Sequence, residues 1–203
     1  MKEILVVLPC SRGIALGDYM KSASWQNMFK VFKKQGVDFD KVQFSAVDCI
    51  VTVFDPAKDR HEKGAIVLYP QELYRVAYYD SPPYYTIVRR YLDDLIEDLV
   101  VAIKRLFPKY KKIIICLNVL GYKKAMYEAL KRTYGKYWKP DQVAFVLIPC
   151  SPAWLNHGAL LVAKLTKNFV PGIVTSEKAK EGILKMGTEF DKELLQYARV
   201  IDP

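Results

Sequence analysis

Three runs of the sequence, residues 4–8, 113–117 and 143–148, are apolar almost without interruption. Continuous apolar strands are typical of parallel sheets covered on both faces, because no residue of such a strand faces water. Each run is followed by a segment whose apolar residues recur at helical spacing. The pattern therefore predicts an α/β fold, a three-layer α/β/α sandwich with a mostly parallel central sheet.

The segments between these runs continue the alternation of strands and helices. Further strands are predicted at 41–54, with a break near Asp48, and at 65–69; helices are predicted at 22–34, 86–107, 122–134 and 153–169. Either Ser22 or Ser24 can cap the first helix through its hydroxyl oxygen. A length of 203 residues predicts a single α/β domain over 1–203, with a helical tail from about residue 176.

Several classes of protein are excluded by composition. No apolar run reaches the roughly 18–20 residues of a membrane span, and the N-terminus resembles a first strand more than a signal peptide, so we expect a cytoplasmic protein. The four cysteines include no Cys-x-x-Cys pair, and the chain has only two histidines. A zinc site is therefore not expected, and no cofactor is predicted.

Positive charge is concentrated in one part of the chain. The net charge is +9, and residues 104–139 hold eleven Lys or Arg against one acid, Glu128, together with several aromatic residues. Basic groups neutralise phosphates and aromatic faces stack on bases, so a nucleic acid is the predicted partner. The candidate contacts are Lys123, Lys124, Lys131 and Arg132. The alternative is a solvated lysine-rich face whose aromatic residues point into the core.

Two of the apolar runs end in the same word, Pro-Cys-Ser, at residues 9–11 and 149–151. In open parallel sheets, ligands bind beyond the carboxyl ends of the strands. If the strands are neighbours, the polar residues at their ends rim one crevice; alternatively, Pro stops each strand and Ser starts a turn. The residues at these ends are Cys10, Ser11, Asn118, Cys150 and Ser151.

The first of these words belongs to a longer motif. Pro9, Cys10 and Ser11 are followed by a Tyr-x-x-Ser-x-Ser pattern, and a second block has Glu-Leu, an aromatic stretch and Tyr-Asp-x-Pro. The two blocks, in this order, resemble the motifs of archaeosine synthase, an archaeal tRNA-modifying relative of the tRNA-guanine transglycosylases. The other matching residues are Tyr19, Ser22, Ser24, Glu72, Leu73, Tyr79, Asp80 and Pro82. Three positions depart from the family pattern: Gly17, Asp18 and Trp25 stand where it has Lys, Pro and His.

The resemblance implies a core similar to the uracil-DNA glycosylase fold and a modified nucleobase as a ligand. Asp80 is a candidate catalytic residue whose carboxylate could accept hydrogen bonds from a base, although it could equally cap a turn. Cys10 is a candidate nucleophile if its thiolate is stabilised. Tyr79, with a flat face and a polar tip, suits a base, and the hydroxyls of the motif and of Ser151 suit a polar ligand.

Three hypotheses about function follow from these patterns. The leading one is a nucleobase- or RNA-binding domain related to archaeal tRNA-modification enzymes, acting as a subunit or as a divergent enzyme. The second is a base-processing enzyme, glycosylase-like or nucleotide-modifying, that uses Asp80 or Cys10. The third is an interaction protein that has kept the fold and lost the site. The oligomeric state and the proximity of Cys10 to Cys150 stay open.

Overall fold

The computed structural model describes residues 2–9, 22–47, 50–55, 60–67 and 92–203. In these parts of the chain, eight strands belong to one sheet. They are β1 (Ile4–Pro9), β2 (Val42–Val47), β3 (Ile50–Asp55), β4 (Arg60–Val67), β5 (Lys112–Cys116), β6 (Val143–Val146), β7 (Gly172–Thr175) and β8 (Arg199–Val200). Their order across the sheet is β4-β3-β2-β1-β5-β6-β7-β8.

Six of these strands, from β2 to β8 along that order, pair in parallel. The remaining two, β3 and β4, extend the sheet at one end and pair antiparallel. The expected three-layer sandwich with a mostly parallel sheet is confirmed. The expected break near Asp48 corresponds to the change from β2 to the antiparallel β3.

Within the described ranges, six α-helices pack on the two faces of the sheet. They are α1 (Ala23–Lys34), α2 (Leu92–Leu106), α3 (Leu120–Thr133), α4 (Leu155–Lys167), α5 (Glu177–Met186) and α6 (Glu189–Leu195). The expected tail from residue 176 is helical, but it is divided between α5 and α6, because Thr188 caps a new helix by accepting from the Asp191 N–H. The short strands β7 and β8 were not expected, since a four-residue and a two-residue strand carry little periodicity.

Alternate residues of the parallel strands face two separate cores. On β1, Leu5 and Val7 belong to the core that contains α2 and α3, whereas Val6 and Leu8 belong to the core that contains α1 and α4. Burial of each such side chain contributes about 1.5–3 kcal/mol. Helices cover both faces of the sheet, so polar groups collect where the strands begin and where they end. We call the side where the parallel strands begin the amino edge, and the side where they end the carboxyl edge.

Candidate functional site

The parallel sheet has a switch point between β1 and β5. From β1 the chain crosses to β2 on one side, and it later returns to place β5 on the other side of β1. At such a point the connections leave in opposite directions, so a gap opens beyond the carboxyl ends of the two strands, and ligands bind there in open α/β sheets. The condition that the three apolar runs be neighbouring strands is met, with β5 between β1 and β6.

Asn118 lies two residues beyond the end of β5, at this switch point. Its side chain is only 7% exposed. Among the described residues, none forms a hydrogen bond with its amide. The amide therefore keeps its two donors and its acceptor available for a ligand that supplies an acceptor and a donor.

The other side of the switch point is held in place by the start of α1. Ser22 is the N-cap of this helix, and its Oγ accepts from the Trp25 N–H at 3.1 Å. The Trp25 indole is fully buried and donates from Nε1 to the Pro9 carbonyl oxygen at 3.0 Å. Ser22 therefore takes the capping role and Trp25 fixes the end of β1, while Ser24 is exposed.

A buried polar cluster lies beyond the carboxyl end of β6. The Lys123 ammonium donates to Asp191 Oδ1 at 2.7 Å and to the Ile148 carbonyl oxygen, and the Lys123 and Asp191 side chains are both 0% exposed. Cys150 donates from Sγ to Asp191 Oδ2 at 3.2 Å. Burial raises the pKa of the Cys150 thiol to about 11, so this thiol is a hydrogen-bond donor rather than a nucleophile at neutral pH.

This cluster corrects one expectation about the basic segment. Lys123 was expected to contact phosphates, but it is buried against Asp191 and is inaccessible to nucleic acid. Asp191 was not singled out from the sequence, because its partner lies 68 residues earlier in the chain. The sequence did contain one signal for Asp191. It lies three residues before Leu194, and this spacing places an acid on the inward face of α6. Ser151, by contrast, is partly exposed and caps the following turn by accepting from Ala153 N–H at 3.3 Å.

The other three basic candidates are exposed, but they lie at opposite edges of the sheet. Lys124 is in the first turns of α3, near the carboxyl edge, whereas Lys131 and Arg132 are in the last turn, at the amino edge. At 1.5 Å per residue, about 11 Å of helix separates them. Lys131 pairs with Glu128 at 2.8 Å, and Arg132 pairs with Glu97 at 2.7 Å, so part of their charge is already neutralised.

A serine–histidine pair lies at the end of β7. His157 Nε2 is 2.6 Å from Ser176 Oγ, which also accepts from the Ala179 N–H as the N-cap of α5. The Ser176 hydroxyl can donate to Nε2 or accept from it, so the direction of this hydrogen bond depends on which ring nitrogen of His157 carries the proton. Burial, and then Lys178, lower the pKa of His157. The pair borders a cavity of about 570 Å³, and neither residue was predicted as a site.

Five candidates fall outside the described residues: Cys10, Ser11, Tyr19, Tyr79 and Asp80. Their proposed roles stay predictions. Within the described ranges, no group of three or more His, Cys, Asp or Glu side chains is placed to hold a metal ion.

The fold and the switch point define the class of this protein. Its described residues form an α/β/α sandwich with six parallel strands, and among them the Asn118 amide has no partner at the place where such sheets bind ligands. Comparison with protein-family models, with curated proteins and with solved structures found no match. None of the helices in the described part of the chain combines the length and the apolar character needed to span a bilayer.

Proposed function

We propose that the protein binds a nucleobase at the switch point, either a free modified base or a base within tRNA or another RNA. The observation that carries this proposal is Asn118, whose 7% exposed amide has no hydrogen-bond partner among the described residues. An amide offers one acceptor and two donors on a flat group, which matches the donor–acceptor pattern on the edge of a base. An ionised phosphate only accepts hydrogen bonds, so it would leave the amide oxygen unused.

Two further features support this choice of ligand. The motif that resembles archaeosine synthase begins at Pro9, at the end of β1, and so adjoins the switch point along the chain. The net charge of +9 favours a polyanionic partner through counterion release. We therefore place the protein among RNA-binding relatives of the tRNA-modification enzymes, with the base as the specific contact and the phosphates as the source of affinity.

The division of the basic residues between two edges favours RNA over a free nucleotide. Lys124 is near the switch point, but Lys131 and Arg132 are at the far end of α3. Phosphates that reach both groups must belong to different nucleotides. The protein should therefore bind tRNA more tightly than any free base, and this difference should decrease as salt concentration increases.

A binding screen tests the proposal directly. We expect free 7-deazaguanine bases, their nucleosides and bulk tRNA to raise the melting temperature of the protein. Asn118→Ala should abolish the effect of the free base, because the variant lacks the amide that pairs with it. Asn168→Ala is a matched control, since Asn168 is an exposed amide at the C-cap of α4.

Two results would contradict the proposal. One is an unchanged melting temperature of the wild-type protein with every member of the panel. The other is a free base that binds Asn118→Ala as strongly as it binds the wild type, which would show that the base does not bind at the switch point.

A further inference from the structure

The amino edge of the sheet contains a pocket that the proposed function does not use. It has a volume of about 380 Å³ and lies between the C-terminal half of α3 and the first residues of β6 and β7. Its walls are almost entirely apolar, and four of the lining side chains are aromatic: Tyr127, Tyr134, Trp138 and Phe145. A concave, largely apolar surface of this size is typical of sites for small planar ligands.

The aromatic rings of this pocket are fixed before any ligand arrives. Trp138 donates from Nε1 to the Leu130 carbonyl oxygen at 3.0 Å and to Thr133 Oγ1 at 3.1 Å, which satisfies its one polar group. The Tyr134 ring packs edge-on against the Trp138 ring, with centroids 5.2 Å apart. Between them, Gly135 adopts a φ of +74°, which closes the turn and which other residues rarely adopt.

Tyr134 is nevertheless 57% exposed, an unusual position for a large ring in a well-packed turn. More than half of the residue is therefore open to solvent. Stacking a flat ligand on the Tyr134 ring would bury apolar surface at a low cost in side-chain entropy, since the ring has few rotatable bonds.

The charges around the pocket identify the ligand as part of an anion. Residues 131–142 include four cations and one acid. Lys131 lines the pocket with its Nζ 5.6 Å from the centroid of the Tyr127 ring, and it also pairs with Glu128 at 2.8 Å. Lys136 follows directly after the Tyr134–Gly135 turn and is exposed. None of the residues that line the pocket is acidic. A neutral apolar ligand would gain nothing from these lysines, whereas phosphates on either side of a base would.

We infer that this pocket stacks an unpaired base of a bound RNA strand, with the phosphates of the strand held by the surrounding lysines. The inference rests on the proposed function, because it takes RNA as the partner. It adds a second, sequence-tolerant contact at the amino edge, since every base has a face that can stack. Helix α3, with 14 residues and a length of about 21 Å, separates this pocket from the switch point, so different nucleotides occupy the two places.

The test is fluorescence anisotropy with a labelled single-stranded oligoadenylate of about 12 nucleotides. We expect Tyr134→Ala to weaken binding roughly 5- to 150-fold, the range for loss of one stacked base. Tyr197→Ala is the matched control, because Tyr197 is 72% exposed and does not line the pocket. Lys136→Gln should lower the slope of log affinity against log salt by about one. Circular dichroism checks that each variant is folded.

The outcomes separate this inference from the proposed function. If the wild type binds the oligonucleotide and Tyr134→Ala binds it equally well, or if Tyr197→Ala loses as much affinity, the pocket is not a stacking site and the proposed function stands. If the wild type binds only free bases, the pocket inference fails alone. If it binds neither, both fail. Polyglutamate of similar length tests a peptide ligand. If it binds as tightly as the oligonucleotide and loses as much affinity in Tyr134→Ala, the pocket is a site for acidic peptides and the inference is overturned.

Discussion

Removing the ammonium group of Lys123 should destabilise the whole protein. In Lys123→Met the side chain keeps nearly the same length, so packing is preserved, but Asp191 loses the partner at 2.7 Å from Oδ1. What remains for this 0% exposed carboxylate is the weak donor Cys150 Sγ, 3.2 Å from Oδ2. The Ile148 carbonyl oxygen also loses its donor from Lys123.

The expected cost follows from the burial of the pair. Breaking a fully buried ion pair by removing one partner costs about 3–5 kcal/mol, because the other charge is left uncompensated. In a domain of this size, each kcal/mol lowers the melting temperature by about 2–4 °C, so the melting temperature should fall by roughly 6–20 °C.

Urea denaturation followed by circular dichroism measures the change in the free energy of unfolding. Lys131→Met is the matched control on the same helix, because the Lys131–Glu128 pair is 59% and 35% exposed. We expect it to cost at most about 1 kcal/mol. The double variant Lys123→Met with Asp191→Leu should recover most of the loss, since apolar side chains can replace a buried pair at little cost.

A Lys123→Met protein that is within about 1 kcal/mol of the wild type would refute this reasoning. So would a double variant that is no more stable than Lys123→Met. Either result would mean that the unpaired carboxylate reaches water easily, and that the cluster is not the buried anchor between α3 and α6 that the contacts indicate.

Three further predictions concern Cys150, Gly158 and His157. Burial raises the pKa of Cys150 to about 11, so iodoacetamide should label this thiol roughly a hundredfold more slowly in the folded protein near pH 8 than in urea. Peptide mass mapping would measure the two rates, and equal rates would contradict the prediction. Gly158→Ala should lower the free energy of unfolding in urea by about 1–3 kcal/mol, because the new Cβ would lie 2.7 Å from Cys116 Sγ. Adding Cys116→Ala should restore part of this stability, and a double variant that is no more stable would argue against the clash. The pKa of His157 is lowered from 6.5 by burial and by Lys178, so the unfolded chain binds a proton there before the folded protein does. The stability contributed by neutral His157 is therefore present above pH 6.5 and is lost as the pH falls through 6.5 towards the lower folded value. His157→Gln should flatten this fall in unfolding free energy between about pH 7.5 and about pH 5.5, and an unchanged pH profile would count against the assignment.

Much of the fold could be predicted because the signals for it are local. Trp25, Met28, Phe29 and Phe32 recur at spacings of three and four, and all four are buried on the inward face of α1. The apolar runs became β1, β5 and β6, since a strand covered on both faces needs apolar residues at every position. Pro108 and Gly135 ended their helices near the expected places, one by its missing N–H and one by its positive φ.

The site was predictable only in part, because its members come from distant parts of the chain. Asn118 was expected at a strand end, and the parallel order of β1, β5 and β6 placed that end at the switch point. No local pattern could show that the Lys123 charge would be buried, because its carboxylate partner is on α6. Nor could it show that His157 and Ser176, 19 residues apart, would share a hydrogen bond.

The sequence by itself therefore determined the class of fold, the inward faces of the helices and the excess of positive charge, since each depends on residues a few positions apart. The tertiary structure alone decided which charged side chains are accessible to a ligand. It buried Lys123, left Lys124 beside the switch point and carried Lys131 and Arg132 to the opposite edge. The physical reason is that a charge interacts with the groups that are near it in space. Residues far apart in the sequence become neighbours only when the sheet forms.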